Sequence, residues 1–175
     1  MYFTRMTSAA DEMYEKAMEL YRESFPDFEQ RETECQRLIM DNPDYHFDLI
    51  YDEERFCGMI FYWERDHFLY VEHFCITPEM RNRRCGQRAL ALLCQKDKTV
   101  ILEIDPPEDT ISMRRRGFYK RAGFQTNSFA HVHPPYHKEN QGHRLVVMSY
   151  PQQISSTIYG EFNEYLKNVV MEYLY

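Results

Sequence analysis

The turn that follows the segment ending at Ile76 is rich in arginine and contains one glycine, in the order Arg-Asn-Arg-Arg-Cys-Gly from Arg81 to Gly86. A helix is predicted directly after this turn, and the first N–H groups of a helix have no partner within the helix. Those N–H groups, with the positive end of the helix dipole behind them, bind anions and above all phosphate. The turn therefore predicts a binding site for a phosphate-bearing cofactor.

Carboxylates on predicted strands form a second group of residues that can do chemistry. Glu103 and Asp105 alternate along one strand, so their side chains share a face. Two carboxylates on one face of a central strand are costly to bury unless they have hydrogen-bond or ion-pair partners or a functional role. This favours binding of a cationic amine, or proton removal from it, over a salt bridge. Glu72, beside His73, is either a further proton acceptor or an ordinary strand carboxylate.

The segment from His131 to His137 is a long connection rich in His, Pro and Tyr, which we expect to border a substrate pocket. His133 and Tyr136 are the predicted substrate contacts in this loop. We expect no metal site, because no cysteine pair accompanies these histidines.

Composition excludes several classes of function. The chain has 175 residues, enough for one domain, and a net charge of −7, which argues against nucleic acid as a partner. No apolar run approaches the length of a membrane span, and the N-terminal residues lack the apolar core of a signal peptide. The five cysteines are odd in number and form no C-x-x-C pair, which favours reduced thiols and a cytoplasmic location.

The periodicity of apolar residues places these motifs on secondary-structure elements. Helices are predicted over residues 11–24, 31–40, 87–96, 109–122 and 154–174. Strands are predicted over residues 47–51, 56–64, 68–76, 99–105, 124–132 and 145–150. This order indicates a single α/β or α+β domain over residues 1–175, built around one mixed sheet. The tail helix is expected to pack on this domain, the alternative being a homodimer interface.

Two motifs resemble those of the GNAT superfamily of acyl-CoA-dependent N-acyltransferases. The first is the turn from Arg81 to Gly86, which is similar to the pyrophosphate loop Arg/Gln-x-x-Gly-x-Gly/Ala. The second is Phe-Tyr-Lys-Arg-Ala-Gly-Phe from Phe118 to Phe124, about thirty residues further on. If Arg81 opens the loop motif, Arg84 replaces its first glycine; if Arg83 opens it, Gly86 is the first glycine and Arg88 replaces the second. We prefer the first register because of its distance from Ile76.

The resemblance implies a mixed, mostly antiparallel sheet flanked by helices, with two central strands that splay apart to admit acetyl-CoA. It implies that Tyr119 donates a proton to the departing thiolate and that backbone N–H groups near Cys75 polarise the thioester carbonyl. The acceptor, an amine of a small molecule or peptide, attacks directly after Glu72 or Glu103 removes its proton. Asp105, His133 and Tyr136 are then the residues predicted to bind the acceptor. The predicted cofactor contacts are Phe74, Cys75, Ile76, Arg81, Asn82, Arg83, Arg84, Cys85, Gly86, Gln87, Arg115 and Tyr119.

Each assignment has a simpler alternative. Tyr119 can be a core aromatic, and the basic stretch around Arg115 can be a solvated helix face. The substituted loop glycine supports a second hypothesis for the whole chain, a non-catalytic module of the same fold that binds CoA or a partner protein. A third hypothesis, a nucleic-acid binder that uses the arginine clusters, conflicts with the net charge of −7 of the whole chain.

Overall fold

The computed structural model describes residues 1–172 and 174, and its centre is one eight-stranded sheet. Its strands are β1 (Tyr2–Met6), β2 (Tyr45–Asp52), β3 (Arg55–Glu64), β4 (Phe68–Ile76), β5 (Thr99–Ile104), β6 (Gln125–Thr126), β7 (His131–His133) and β8 (His143–Tyr150). The strand order is β1-β2-β3-β4-β5-β8-β6, and β7 pairs with β8 beside this path. The pair β4–β5 is parallel and the other pairs are antiparallel, so the predicted mixed, mostly antiparallel sheet is confirmed.

Helices cover both faces of this sheet. They are α1 (Tyr14–Ser24), α2 (Thr33–Ile39), α3 (Cys85–Leu93), α4 (Thr110–Arg121) and α5 (Ser156–Tyr165), the last continued by a π-helical turn over Leu166–Val170. One buried cluster joins the sheet to α1, α2 and α5, and a second joins its other face to α3 and α4. Strand β3 lies between the two clusters and is buried on both faces. This explains its nearly continuous apolar run.

The structure corrects four details of the predicted elements. The N-terminal strand β1 was not predicted, because it is a mostly exposed edge strand that depends on pairing with β2. The single strand predicted over residues 124–132 is two short strands, since Asn127 between them bonds through its side chain to Val147 and Ser149. Helix α1 begins at Tyr14, after a turn in which Asp11 accepts from the Met13 N–H.

The fourth correction concerns the tail. The helix predicted over residues 154–174 is α-helical only over Ser156–Tyr165, and residue 173 of the predicted span lies outside the described residues. The apolar side chains of this segment, among them Phe162 and Leu166, are buried against the sheet. The apolar stripe is therefore explained by packing within the chain, and a homodimer stays a prediction.

A bulge in β4 lies next to the point where β4 and β5 separate. Phe61 pairs with His73 and the next residue, Tyr62, pairs with Val71, so Glu72 is the extra residue on β4. A bulge bends its strand and re-aims the neighbouring side chains. Pairing of β4 with β5 ends one residue earlier, at Val71 opposite Leu102. Beyond this point the two strands separate, and β4 runs on to Ile76 without a partner on that side among the described residues.

Candidate active site

A cavity of about 640 Å³ lies where β4 and β5 separate. It is lined by Glu72 to Ile76 of β4 and by Leu102 to Asp105, which cover the end of β5 and the residue after it. Its walls come from α4, the connection after α1 and the loop around Tyr136. Most of the predicted site residues therefore meet at one opening, although they lie far apart in the sequence.

The arginine-rich turn has the backbone conformation that an anion site requires. Helix α3 begins at Cys85 and no side chain caps its N-terminus, so its first N–H groups are available to a ligand. Arg84, directly before the helix, has a left-handed backbone with φ of 60°. A glycine adopts this conformation at no cost, so the structure supports the register in which Arg84 replaces the first glycine. Arg84 therefore occupies a backbone conformation that favours glycine.

Gly86 has a different role, which is packing. A Cβ atom at this position would lie 3.1 Å from the Phe118 ring and 3.5 Å from the Ile76 side chain. The glycine thus lets the start of α3 approach both α4 and the end of β4. These contacts hold the uncapped helix N-terminus at the mouth of the strand gap.

The side chains of the turn point in different directions. Arg81 lines the cavity and donates from Nε to the carbonyl of Ile76 at 3.3 Å. Arg83 lines a separate, shallower depression on the other side of the turn. Arg88 is held by Asp52 through two bonds of 2.7 and 2.8 Å. The uncapped N–H groups together with Arg81 are donors of the kind that bind a diphosphate.

Tyr119 projects from α4 into the same cavity. Its side chain is 9% exposed, and its hydroxyl has no hydrogen-bond partner within residues 1–172 and 174. Burial raises the pKa of the phenol to about 12, so it keeps its proton at neutral pH. A protonated phenol with an uncommitted O–H group can donate a proton, and the catalytic role of Tyr119 stays a prediction.

Glu72 lies in a fully buried polar network. Its Oε1 accepts from Arg31 Nε at 2.9 Å and from the Tyr136 hydroxyl at 3.0 Å, and its Oε2 accepts from Trp63 Nε1 at 2.7 Å. Burial would raise the pKa of this carboxyl, but the Arg31 guanidinium and the other donors lower it below its usual value. Both oxygens are therefore occupied, which leaves Glu72 little capacity to accept a proton from a substrate.

Glu103 lies on β5 at the far wall of the cavity and is held on both sides. Its Oε2 accepts from the Tyr70 hydroxyl at 2.5 Å, and its Oε1 accepts from His131 Nε2. The other ring nitrogen of His131 is 3.0 Å from the Tyr159 hydroxyl. Burial alone would raise the pKa of Glu103, whereas His133 and His131 hold it below the usual value. The carboxylate is thus ionised and fixed in orientation.

His133 and Tyr136, the two predicted substrate contacts of the loop, are both buried in the cavity wall. Their rings stack with centroids 5.0 Å apart. His133 Nδ1 lies 2.5 Å from the carbonyl oxygen of Pro134, and its Nε2 lies 3.9 Å from Glu103 Oε2. The Nε2 atom has no hydrogen-bond partner among the described residues.

The predicted residues Asp105 and Arg115 lie at the rim of the cavity and contact each other. The predicted cofactor contacts Asn82, Arg84, Cys85, Gly86 and Gln87 are not among the described residues that line the cavity. Arg115 Nη1 is 2.6 Å from Asp105 Oδ2. Glu29 and His143 complete this cluster, with His143 3.7 Å from Asp105 and 3.9 Å from Glu29. Burial, followed by the charge of Asp105, raises the pKa of Glu29 above its usual value. The rim therefore carries two carboxylates and one arginine.

Several residues of this site were not predicted from the sequence, namely Glu29, Arg31, Trp63, Tyr70, His73 and Tyr159. Arg31 was assigned to a helix, and its partner Glu72 is 41 positions away. His131 was expected in the loop that borders the pocket, and because it alternates with His133 on a strand the two side chains share a face.

The fold and the cavity define a class of protein, an acyltransferase-like domain with a splayed central sheet. A solved structure of a candidate acetyltransferase of the GNAT family from Bacteroides thetaiotaomicron is 31% identical, with a TM-score of 0.91 over 98% of each chain. An aminoglycoside 6'-N-acetyltransferase solved with coenzyme A shares the fold at 14% identity, with a TM-score of 0.62 over 89% of this chain and 100% of that one.

Sequence comparison identifies the family. The profile of the Acetyltransferase (GNAT) family matches residues 10–124, so the chain belongs to this family of acetyltransferases. YjbC of Bacillus subtilis (strain 168), named as a candidate acetyltransferase, is 28% identical over 80 residues. That alignment covers 45% of this chain and 42% of the length of YjbC.

None of the helices in the described part of the chain is both long enough and apolar enough to span a membrane.

Proposed function

We propose that this protein transfers an acetyl group from acetyl-CoA to a primary amine of a small molecule or peptide, by direct attack with both substrates bound. The observation that carries this proposal is the separation of β4 and β5 beyond Val71 and Leu102. The cavity in this gap is lined at one side by Arg81, from the turn before the uncapped start of α3, and at another by buried acid–base groups. Family membership and the relative solved with coenzyme A support a CoA-type cofactor.

The residues that would hold the cofactor lie along one side of the cavity. The N–H groups at the start of α3 and the Arg81 side chain suit the diphosphate. The edge of β4 that faces β5, around Phe74 and Cys75, has no strand partner there and suits the amide groups of the pantetheine arm and the thioester carbonyl. When bound, acetyl-CoA supplies an activated acyl group with a thiolate as leaving group. Tyr119 then provides the proton that the leaving sulfur requires.

The other side of the cavity receives the acceptor. Its wall contains the ionised carboxylate of Glu103, and its rim contains Glu29 and Asp105. Negative charge at both places favours an amine that enters as a cation. Proton removal is proposed to occur at the wall that contains Glu103 and His133 rather than at Glu72. Glu72 forms a fully buried ion pair with Arg31 and accepts two further hydrogen bonds, whereas Nε2 of His133 has no hydrogen-bond partner among the described residues.

The experiment has two stages. Acetyl-CoA is titrated into the pure protein by calorimetry, and CoA release is then followed with a panel of monoamines, diamines, aminoglycosides, amino acids and peptides. Binding followed by amine-dependent CoA release supports the proposal. Tight binding without release on any amine would support the alternative, a CoA-binding module, whose supporting observation is the substituted glycine at Arg84.

A matched pair of loop variants tests the proposed cofactor contacts. Arg81 lines the cavity and Arg83 lines the separate depression. We therefore expect Arg81→Ala to weaken acetyl-CoA binding by about tenfold, since charge-assisted contacts contribute about 1–3 kcal/mol. Arg83→Ala removes the same charge from the same turn and is expected to have a smaller effect. Equal losses would mean that only the overall charge of the turn matters.

A further inference from the structure

The wall of the cavity contains two buried ring nitrogens with no hydrogen-bond partner among the described residues. They are Nε2 of His133 and Nδ1 of His73. An unpartnered buried polar atom is costly, and in a native structure it often indicates a functional role. The carboxylates around them differ in this respect, because both oxygens of Glu72 and of Glu103 already accept hydrogen bonds.

The tautomer of His133 follows from its one hydrogen bond. Nδ1 lies 2.5 Å from the carbonyl oxygen of Pro134, and a carbonyl oxygen only accepts. Nδ1 must therefore carry the proton. In the neutral ring Nε2 then has a lone pair, and this atom is 3.9 Å from Glu103 Oε2. A nitrogen that lies to one side of this pair, about 3 Å from each of the two atoms, can donate one hydrogen bond to each of them.

His73 is the weaker of the two candidates. Its ring packs edge-on against Tyr21 and Phe25, so its surroundings are aromatic. Burial lowers the pKa of this imidazole to about 4, and the nearby Arg31 charge acts in the same direction. A ring in this position takes up a proton poorly at neutral pH.

Resting on the function proposed above, we propose that the acceptor nitrogen binds between His133 Nε2 and Glu103 Oε2, and that His133 is the general base. Glu103 then acts as a positioning residue whose negative charge stabilises the imidazolium that forms. His131 and Tyr70 hold that carboxylate in place from its two sides. Tyr136 stacks on the His133 ring and fixes its plane.

The proton balance of this step is complete. The acceptor ammonium loses one proton to His133 Nε2, which frees the nitrogen lone pair. The nitrogen forms a bond to the acyl carbon as the carbon–sulfur bond breaks, and the sulfur takes a proton from Tyr119. After bond formation the nitrogen loses its second proton, which reprotonates Tyr119. His133 passes the first proton to solvent, so one net proton is released and both residues return to their starting states.

The charged and titratable groups that face His133 come from three neighbouring elements. Glu103 contacts it from β5, Glu72 and His73 approach from β4, and Tyr136 packs from the loop. Two of these groups are carboxylates, and Glu103 Oε2 lies 3.9 Å from Nε2 of the His133 ring.

Nitrogen NMR on protein labelled with ¹⁵N-histidine tests the geometry without a known acceptor. The probe is n-butylammonium in the presence of CoA, with n-butanol as its uncharged analogue, and His133→Gln assigns the signal. We expect Nδ1 of His133 to carry the proton and the Nε2 signal to move with butylammonium but not with butanol. The response should disappear in Glu103→Gln. A proton on Nε2 of the neutral ring, or no response to butylammonium, would overturn the proposal.

Kinetics with the best amine from the panel provide the second test. We expect His133→Gln to lower kcat by about 100-fold, the usual scale of general-base catalysis, with acetyl-CoA affinity within about threefold of wild type. Imidazole should restore activity to His133→Ala. His67→Gln, an exposed histidine paired with Glu161, is the matched control and should behave as wild type. Unchanged kcat in His133→Gln would refute this inference alone, whereas loss of acetyl-CoA binding by the wild-type protein would refute the proposed function.

Discussion

Arg31 Nε donates to Glu72 Oε1 at 2.9 Å, and both side chains are fully buried. Arg31 also donates to the carbonyl of Val170 at 2.6 Å, so this one arginine connects β4 to the C-terminal segment. Removing one member of such a pair leaves an uncompensated buried charge, which costs more than the pair itself contributes. The pair therefore makes the bulge of β4 sensitive to single substitutions.

The first prediction concerns the stability that depends on this pair. We expect Glu72→Gln to lower the free energy of unfolding by about 3–5 kcal/mol, because it leaves the Arg31 guanidinium buried without its counter-charge. Urea denaturation provides the measurement. Glu34→Gln breaks the exposed pair with Arg37 and should change stability by less than about 1 kcal/mol. Equal effects of the two substitutions would contradict the structural role of Glu72.

The second prediction tests the backbone of the phosphate turn. Arg84→Gly and Arg84→Ala remove the same charge, but only glycine adopts a φ of 60° without strain. We expect the glycine variant to be more stable than the alanine variant by about 1 kcal/mol. Thermal unfolding of the two variants measures the difference. A more stable alanine variant would show that residue 84 does not have a left-handed backbone in solution.

The third prediction separates catalysis from binding at Tyr119. We expect Tyr119→Phe to bind acetyl-CoA nearly as well as the wild type, because the hydroxyl has no partner among the described residues. Its kcat should fall by about 100-fold, since the proton donor is lost. Tyr150→Phe, on a tyrosine that packs against Phe124 outside the cavity, is the control. Loss of acetyl-CoA binding in Tyr119→Phe would assign this residue to the cofactor site instead.

The fourth prediction concerns pH and a carboxylate outside the site. Asp48 is buried, and burial raises its pKa to about 6 although Tyr62 donates to it. The folded state therefore holds this proton more tightly than the unfolded state, and stability falls as the pH rises from about 4 to above 6. Asp48→Asn should stabilise the protein at pH 8 by about 2–3 kcal/mol.

The pH dependence of the stability gained by Asp48→Asn shows whether the buried charge of Asp48 is the cause. Between pH 8 and pH 5 the gain should shrink by about 1 kcal/mol or more, because Asp48 becomes protonated in the folded wild-type protein. Urea denaturation of both proteins at the two pH values measures this change. A gain of the same size at both values would show that the substitution acts through packing and not through the buried charge.

Local patterns in the sequence were sufficient for part of the site. The arginine-rich turn and the helix after it lie within one short segment, so the uncapped helix start was predictable. Glu103 and Asp105 share a face because side chains alternate along any strand. The mixed, mostly antiparallel sheet followed from the order of elements and from the family resemblance, and it is confirmed.

Only the tertiary structure decided how these groups are used. The bulge at Glu72 depends on the register of β4 against β3. The hydrogen bond from Arg31 to Glu72 joins residues that are 41 positions apart in the sequence. Arg115 and Asp105, predicted for cofactor and acceptor, lie in contact with each other. The role proposed for His133 depends on its unpartnered Nε2, which lies 3.9 Å from Glu103 Oε2 in the folded chain. Sequence patterns report the short-range preferences of the backbone, whereas the partners of a buried polar group are set by distant segments that packing brings together.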